Sequence, residues 1–288
     1  MLEKTESLRP TNLNPCYPNY HSGEYFEEYF FRRFISEFPD LRIGEYLYLP
    51  IFWTNCYMNS GFCGSHYDIQ SILNNLDQDL KYFTISQHDD CILENYEFRM
   101  VIFSMGGNKS GKDIIPIPLI CSPIGYEEGE KEILASFIGS ETHGIRKEIV
   151  ETYSNDPDFF IKNKGWELVT SWENLDIFKN ITARSKFTLC PRGYGKSSFR
   201  MYEAMQLNSV PVYISDEEWL PWTEEINWDN LAIRVHSSEI KQIKDRILSA
   251  DYKSMIDYKK MIYDEYFTFP GVYDKIIKRI KKHQGFLA

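Results

Sequence analysis

The chain has 288 residues, enough for one large or two modest α/β domains with a real core, and its 43% hydrophobic and 26% charged residues are ordinary for a globular protein. A net charge of −10 argues against non-specific nucleic-acid binding, which needs a broad basic surface, and no apolar run approaches the length of a transmembrane segment. The six cysteines, Cys16, Cys56, Cys63, Cys91, Cys121 and Cys190, include no C-x-x-C pair, so a zinc cluster is not expected; reduced thiols are the default and a Cys56–Cys63 bridge is left open.

In chain order, residues 1–23 are polar and proline-containing and read as an extended arm that Tyr17 and Tyr20 would pin to a lobe. An aromatic-rich helix is predicted over Glu24–Phe38, a strand over Glu45–Trp53, a helix over His66–Asp79, and strands over Leu80–Ser86 and Arg99–Met105. The run from Asp113 to Ile120 is apolar but holds two prolines, which fits an edge strand or an extended crossing between lobes. After a turn over Pro123–Gly129 the rhythm restarts: strand Ala135–Gly139, helix Gly144–Tyr153, strand Phe159–Lys162, helix Ser171–Ala183. A loop and strand follow over Ile226–Val235, then helices over Glu239–Leu248, Asp251–Tyr266 and Val272–Lys282, the last basic from Lys275 and read as a solvated helix face. Two successive sets of alternating strands and helices predict two doubly wound lobes with a cleft between them.

The most informative segment is Ser185–Asp216. Phe187–Cys190 is a short β-prone run, Pro191–Gly195 carries turn chemistry, Phe199–Leu207 has helical spacing, and Val210–Ile214 is a second apolar strand. Such a parallel βαβ unit leaves helix N–H groups at the carboxyl edge of a sheet, where Arg192, Lys196 and Arg200 add positive charge: an anion site. Arg200 and Glu203, three apart, share a helix face, and Asn208 stands where the helix stops, a place that asks for a left-handed residue. Gly195-Lys196-Ser197 imitates the end of a nucleotide-binding P-loop, but the position of that motif's first glycine is Cys190, so a P-loop-like hydrolase is set aside.

Cys190-Pro-Arg-Gly, Ser198-Phe-Arg-Met-Tyr-Glu-Ala, Val210-Pro-Val, Ile214-Ser-Asp, Leu220-Pro-Trp and Ile226-Asn-Trp, in this order and spacing, resemble the signature of exostosin-type glycosyltransferases. The likeness extends upstream to Lys112–Leu119, Ala135–Ser140 and Gly144-Ile-Arg146, and it fades in the first lobe. It implies a GT-B fold of two Rossmann-like lobes: residues 1–125 on the acceptor side, residues 126–265 binding the nucleotide-sugar, and residues 266–288 as a C-terminal helix packing across the lobes. It further implies an inverting hexosyl- or pentosyltransferase that moves a sugar from a UDP-sugar to a hydroxyl of an oligosaccharide or glycan acceptor, forming a β-linkage. UDP-xylose, UDP-glucuronic acid, UDP-galactose and UDP-N-acetylglucosamine all stay open as donors.

On that reading Arg146 and Arg192 lie near the diphosphate, and Gly193, Ser197 and Ser198 form the turn that offers donors to it. Glu203 accepts from the ribose hydroxyls, and Arg200 holds Glu203 or reaches the phosphate. Charge growing on the leaving UDP would be met by fixed cations and helix N–H groups, with no obligatory metal and no tightly bound cofactor. The one Asp-x-Asp triplet, Asp77–Asp79, reads as a helix-end pair. Inversion needs a general base, and Asp89 at a strand's carboxyl end is the first choice, with His88 or Asp90 as substitutes; His66 and Asp68 look like helix-start residues. Trp219, Trp222 and Trp228 read as core rather than sugar-stacking residues. The family usually has a small residue and glycine where this chain has Leu207-Asn208-Ser209, so the turn into Val210 is expected to differ. With no anchor or stem in the sequence, a soluble cytoplasmic enzyme of bacterial or viral type is expected. The other class kept open is a catalytically silent glycan- or nucleotide-binding protein of the same fold.

Overall fold

A computed structural model of the chain describes residues 1–10, 25–121, 123–125, 129–166 and 171–283. Cys16, Tyr17, Tyr20 and the middle of the 123–129 turn lie outside the described residues. The chain divides into two units, Met1–Ile117 with Phe269–Ala288, and Pro118–Thr268. The C-terminal helix therefore belongs to the first unit.

The first unit carries a five-stranded sheet in the order β1 (Arg42–Ile43), β2 (Tyr46–Tyr48), β3 (Lys81–Ser86), β4 (Arg99–Ser104), β5 (Ile114–Pro116). All neighbours are parallel except the β1–β2 hairpin. β5, with its proline, is at the edge, as Pro116 requires. Helix α1 (Phe26–Glu37) presents Phe26, Phe30 and Phe34 at i, i+4 spacing to this sheet, and all three are fully buried. Phe30 lies edge-on to Tyr48 at 5.2 Å, and Phe34 edge-on to Phe83 at 5.4 Å. On its other flank α1 receives α9 (Phe269–His283), with Tyr273 5.0 Å from Phe30 and Arg33 stacked over the Tyr273 ring at 4.0 Å. Much of the chain's aromatic excess is thus core.

Three sequence expectations change here. Glu3–Leu8 is a 3-10 helix, not an extended arm, with Thr5 and Leu8 buried and Arg9 Nη1 donating to Thr5 Oγ1. The strand expected through Trp53 ends at Tyr48, and helix α2 spans Trp53–Cys63. Pro50 interrupts the ladder, and long-range bonds then fix the start of α2: Trp53 Nε1 donates to Thr84 Oγ1 (2.9 Å), and the Thr54 N–H and hydroxyl donate to the buried Glu27 carboxylate (3.1 and 2.8 Å). The helix expected over His66–Asp79 shortens to α3 (Ile69–Asn74), because Asp68 caps it by accepting from Ser71 N and Asp77 turns the chain by accepting from Asp79 N. The Cys56–Cys63 bridge does not form: Cys56, Cys63, Cys91, Cys121 and Cys190 are free thiols.

The second unit is a five-stranded, all-parallel sheet in the order β10 (Ile233–His236), β9 (Val210–Ser215), β8 (Ser185–Pro191), β6 (Ile133–Gly139), β7 (Phe159–Asn163). Helices α4 (Gly144–Tyr153), α5 (Trp172–Arg184) and α6 (Phe199–Gln206) connect the strands, with α7 (Ile243–Ser249) and α8 (Tyr252–Tyr266) after β10. Its core joins Phe137, Phe187, Leu189, Val212 and Ile214 of the sheet to Ile145, Ile149, Ile243 and Ile247 of the helices. Near-continuous apolar strands are what burial on both faces demands. Trp219, Trp222 and Trp228 are core, at 7%, 7% and 4% exposure. Among the described residues no helix is long and apolar enough to cross a membrane.

Candidate active site

From β6 the second unit's chain moves outward to β7, then returns past β6 to β8 and continues the other way to β9 and β10. The strand order reverses between β6 and β8. Outside the carboxyl ends of such a pair the two following loops diverge and leave a crevice, the usual ligand site of a doubly wound sheet. Three segments border it: Ser140–His143 leading into α4, Arg192–Ser198 leading into α6, and Asp216 just past β9.

Arg146, in the first turn of α4, is buried, and its guanidinium knits the two loops together. Nε donates to the Arg192 carbonyl (3.0 Å), Nη1 to Ser140 O (3.3 Å) and Nη2 to Pro191 O (3.4 Å). Gly193 makes this possible, since a Cβ there would stand 2.9 Å from Arg146 Nη2. Arg192, also buried, pairs through Nη1 with Asp216 Oδ1 at 2.7 Å, while Nη2 donates to Tyr194 O (2.9 Å) and Nε to Gly193 O (3.3 Å). A guanidinium has five N–H donors, so this leaves one hydrogen on each terminal nitrogen of Arg192 for a ligand. The ion pair in turn holds the Asp216 carboxyl below its ordinary value, against the opposing pull of burial.

Ser198 takes the position before α6 in an extended conformation (φ −148°, ψ 133°), and its side chain makes no capping bond. Ser197 is buried and hydrogen-bonds the Tyr202 hydroxyl. Glu203 lies in the second turn of α6, 7% exposed, and among the described residues its carboxylate accepts no hydrogen bond. Burial alone pushes its carboxyl up from 4.5 to about 8. The expectation that Arg200 holds Glu203 is not met. The Arg200 guanidinium turns to the end of β6, where Nη2 donates to Ile138 O (2.5 Å) and the group lies over the Phe137 ring at 5.0 Å. Lys196 is occupied by an ion pair with Glu217, which removes the cation a P-loop would need at the phosphate.

Asn208 ends α6 in the left-handed region (φ 52°), as its place in the sequence predicts. Its side chain does more than tolerate the turn: Lys259 Nζ donates to Asn208 Oδ1 (2.6 Å), and the Tyr252 hydroxyl donates to its carbonyl (2.9 Å), both from α8.

In the first unit, His88, Asp89 and Asp90 follow β3 at the carboxyl edge of its sheet. His88 Nδ1 accepts the Asp90 N–H (3.3 Å), so in the neutral ring the proton sits on Nε2 and no lone pair is left for a base. Burial lowers its pKa further, and the ring packs edge-on to Tyr57 at 4.8 Å. Asp90 Oδ1 accepts from Asn108 Nδ2 (2.9 Å). Both substitutes for the base are thereby engaged in shaping the turn, and Asp89 stands half-buried between them. Gly106 packs beneath, where a Cβ would be 2.3 Å from both Asp89 Cα and His88 O. Among the described residues no cluster of His, Cys, Asp and Glu has the makings of a metal site.

The pattern of the exostosin GT47 domain matches residues 99–250, just over half of the chain. The chain belongs to the exostosin GT47 family. Curated relatives agree: an exostosin-1 homolog of Caenorhabditis elegans is 27% identical over 177 residues, 53% of this chain and 45% of the relative. A probable glucuronosyltransferase of Oryza sativa subsp. japonica is 30% identical over 112 residues, 39% of this chain and 24% of the relative. A probable glycosyltransferase of Arabidopsis thaliana is 29% identical over 128 residues, 43% of this chain and 25% of the relative. The chain thus matches less than half the length of each of these relatives. Among solved structures, TarM aligns over 72% of this chain and 51% of its own, with 8% identity and a TM-score of 0.40. The exostosin match spans β4 through α7 and so takes in the whole crevice of the second unit.

Two site residues escape the sequence reading. His143 caps α4 with its ring, and Asp216, noticed only as part of a motif, is the partner that orients Arg192. A histidine directly before a Gly-Ile-Arg helix start is the signal that was available for the first.

Proposed function

We propose that this exostosin GT47 member is an inverting glycosyltransferase that moves a hexose or pentose from a UDP-sugar to a glycan hydroxyl, forming a β-linkage. The observation that carries the proposal is Glu203: a buried carboxyl without a partner among the described residues, on the helix that starts at the strand-reversal crevice, where Arg146 and Arg192 shape the turn that leads into that helix. Without donors the buried group keeps its proton up to about pH 8, and hydroxyls of a bound ribose would supply the donors that favour the carboxylate. In the same reading the free hydrogens of Arg192, with the start of α6, meet the diphosphate. They stabilise the leaving UDP more as its bond to the sugar breaks, which is how fixed charges lower a barrier. Arg146 acts mainly as the brace that shapes the turn.

Asp89 is the proposed base, taking the proton of the acceptor hydroxyl as that oxygen attacks the anomeric carbon from the face opposite UDP. In this scheme positive charge comes from the protein, and turnover persists in a chelator. The test is incubation with UDP-xylose, UDP-glucuronic acid, UDP-galactose and UDP-N-acetylglucosamine, with and without oligosaccharide acceptors, measuring UDP release and product mass. Acceptor-dependent transfer from one of them is expected. UDP binding with no transfer to any acceptor would instead support a silent binding protein.

A further inference from the structure

We propose that His143 is a further donor to the nucleotide diphosphate, its Nε2–H hydrogen-bonding a phosphate oxygen held at the Arg146–Arg192 turn. This deepens the donor-site reading above and rests on it.

The ring's orientation comes from its role at the start of α4. His143 is extended (φ −149°, ψ 149°), and its Nδ1 accepts the Ile145 N–H at 3.3 Å, doing the work of a helix cap. Because Nδ1 spends its lone pair on that N–H, the neutral ring carries its proton on Nε2. Nε2–H is then a donor on the side of the ring away from the helix. Ser, Thr, Asp and Asn cap helices better, so capping alone gives no reason for an imidazole.

The surroundings say what such a donor would meet. The charged groups that face the ring are Arg192 on the β8–α6 turn, Arg146 on α4 and Asp216 beyond β9. Thr142, the preceding residue, packs on the Gly193 turn, its Oγ1 3.6 Å from where a Gly193 Cβ would be, the same point that Arg146 Nη2 approaches to 2.9 Å. Thr142 and Arg146, on either side of His143 in the chain, therefore both meet the Arg192–Gly193 turn. Burial and then the two arginines hold the free imidazole below its ordinary pKa, with Asp216 pulling the other way. A bound diphosphate puts negative charge in front of Nε2–H, so the neutral ring donates to it there while Nδ1 keeps its bond to the Ile145 N–H, and no covalent bond changes.

The test is His143→Asn, which keeps the cap, since asparagine is among the best capping residues, and removes Nε2–H. Calorimetric titration with UDP and with uridine, together with thermal melting, separates the two roles. The expected result is an unchanged melting temperature, an unchanged uridine Kd, and a UDP Kd raised roughly ten-fold or more, as for a hydrogen bond to a charged group. Wild-type UDP affinity in His143→Asn, with Arg192→Ala impaired, would overturn the role of His143 and leave the diphosphate site standing. Equal losses for UDP and uridine, with a lowered melting temperature, would reduce His143 to a cap. A folded wild-type protein with no affinity for UDP would overturn the site itself.

Discussion

Glu203→Gln should make the protein more stable and a poorer nucleotide binder. In the folded chain burial raises the Glu203 carboxyl from 4.5 to about 8. Between those values the folded state holds a proton that the unfolded chain has lost. Stability on this account is full below pH 4.5, falls as pH rises, and levels off above about pH 8. At ~1.36 kcal/mol per pH unit the whole loss is about 5 kcal/mol. A glutamine at the site does not ionise, but its own buried amide gives back roughly 1–3 kcal/mol. The variant should therefore be more stable at pH 8.5 by about 2–4 kcal/mol. At roughly 2–4 °C per kcal/mol for a unit of this size, its melting temperature should rise on the order of 5–15 °C. At about pH 5 the wild type has lost less than about 1 kcal/mol, so the amide cost dominates and the variant should there melt no higher than the wild type and be as much as about 2 kcal/mol less stable. Glu27, fully buried in the first unit and also raised to about 8, is present in both proteins and cancels in the difference. Circular-dichroism melts at the two pH values, with and without UDP, make the measurement. Parallel pH profiles for variant and wild type would refute the idea that this carboxylate is buried without a partner.

Arg192→Ala should weaken UDP binding by roughly 1.5–3 kcal/mol, the usual worth of hydrogen bonds to a charged group. Its melting temperature should change little, because Asp216 is 43% exposed and can be hydrated once its partner is gone; unaltered UDP affinity by calorimetry would remove Arg192 from the site. Asp89→Asn should abolish transfer while leaving donor affinity intact, and a variant with normal turnover would remove Asp89 as the base. Gly106→Ala places a methyl 2.3 Å from backbone atoms of His88 and Asp89 that cannot step aside. We expect a loss of about 3 kcal/mol or more of stability and of turnover, with UDP affinity retained; wild-type kinetics would show that the Asp89 turn tolerates displacement.

The second unit was largely legible because its elements are set by local chemistry. β8, the turn, α6 and β9 follow from two apolar runs, a glycine turn and helical spacing, and even the left-handed Asn208 could be read from its place. The first unit hid more. Tyr46–Trp53 is apolar enough to be one strand, and only contacts from distant Thr84 and Glu27 decide that Trp53 opens a helix. The Arg200–Glu203 spacing suggested an ion pair, but a carbonyl at the end of β6 and the Phe137 face offer the guanidinium more, which no local pattern reveals. The partnership of Arg192 with Asp216 spans 24 residues and two strands, beyond the reach of periodicity.

The first unit is assembled from both extremes of the sequence, with the second unit threaded as one continuous stretch between them. On a ribosome this inverts the expected order of maturation. The second unit has all its strands before α9 is made, whereas α1 must wait for α9 to bring Phe269 and Tyr273 onto Phe26 and Phe30. The half that holds the proposed nucleotide residues has its strands while the half that carries Asp89 still shows an open aromatic face, so the arrival of α9 is the event that closes the first unit's core.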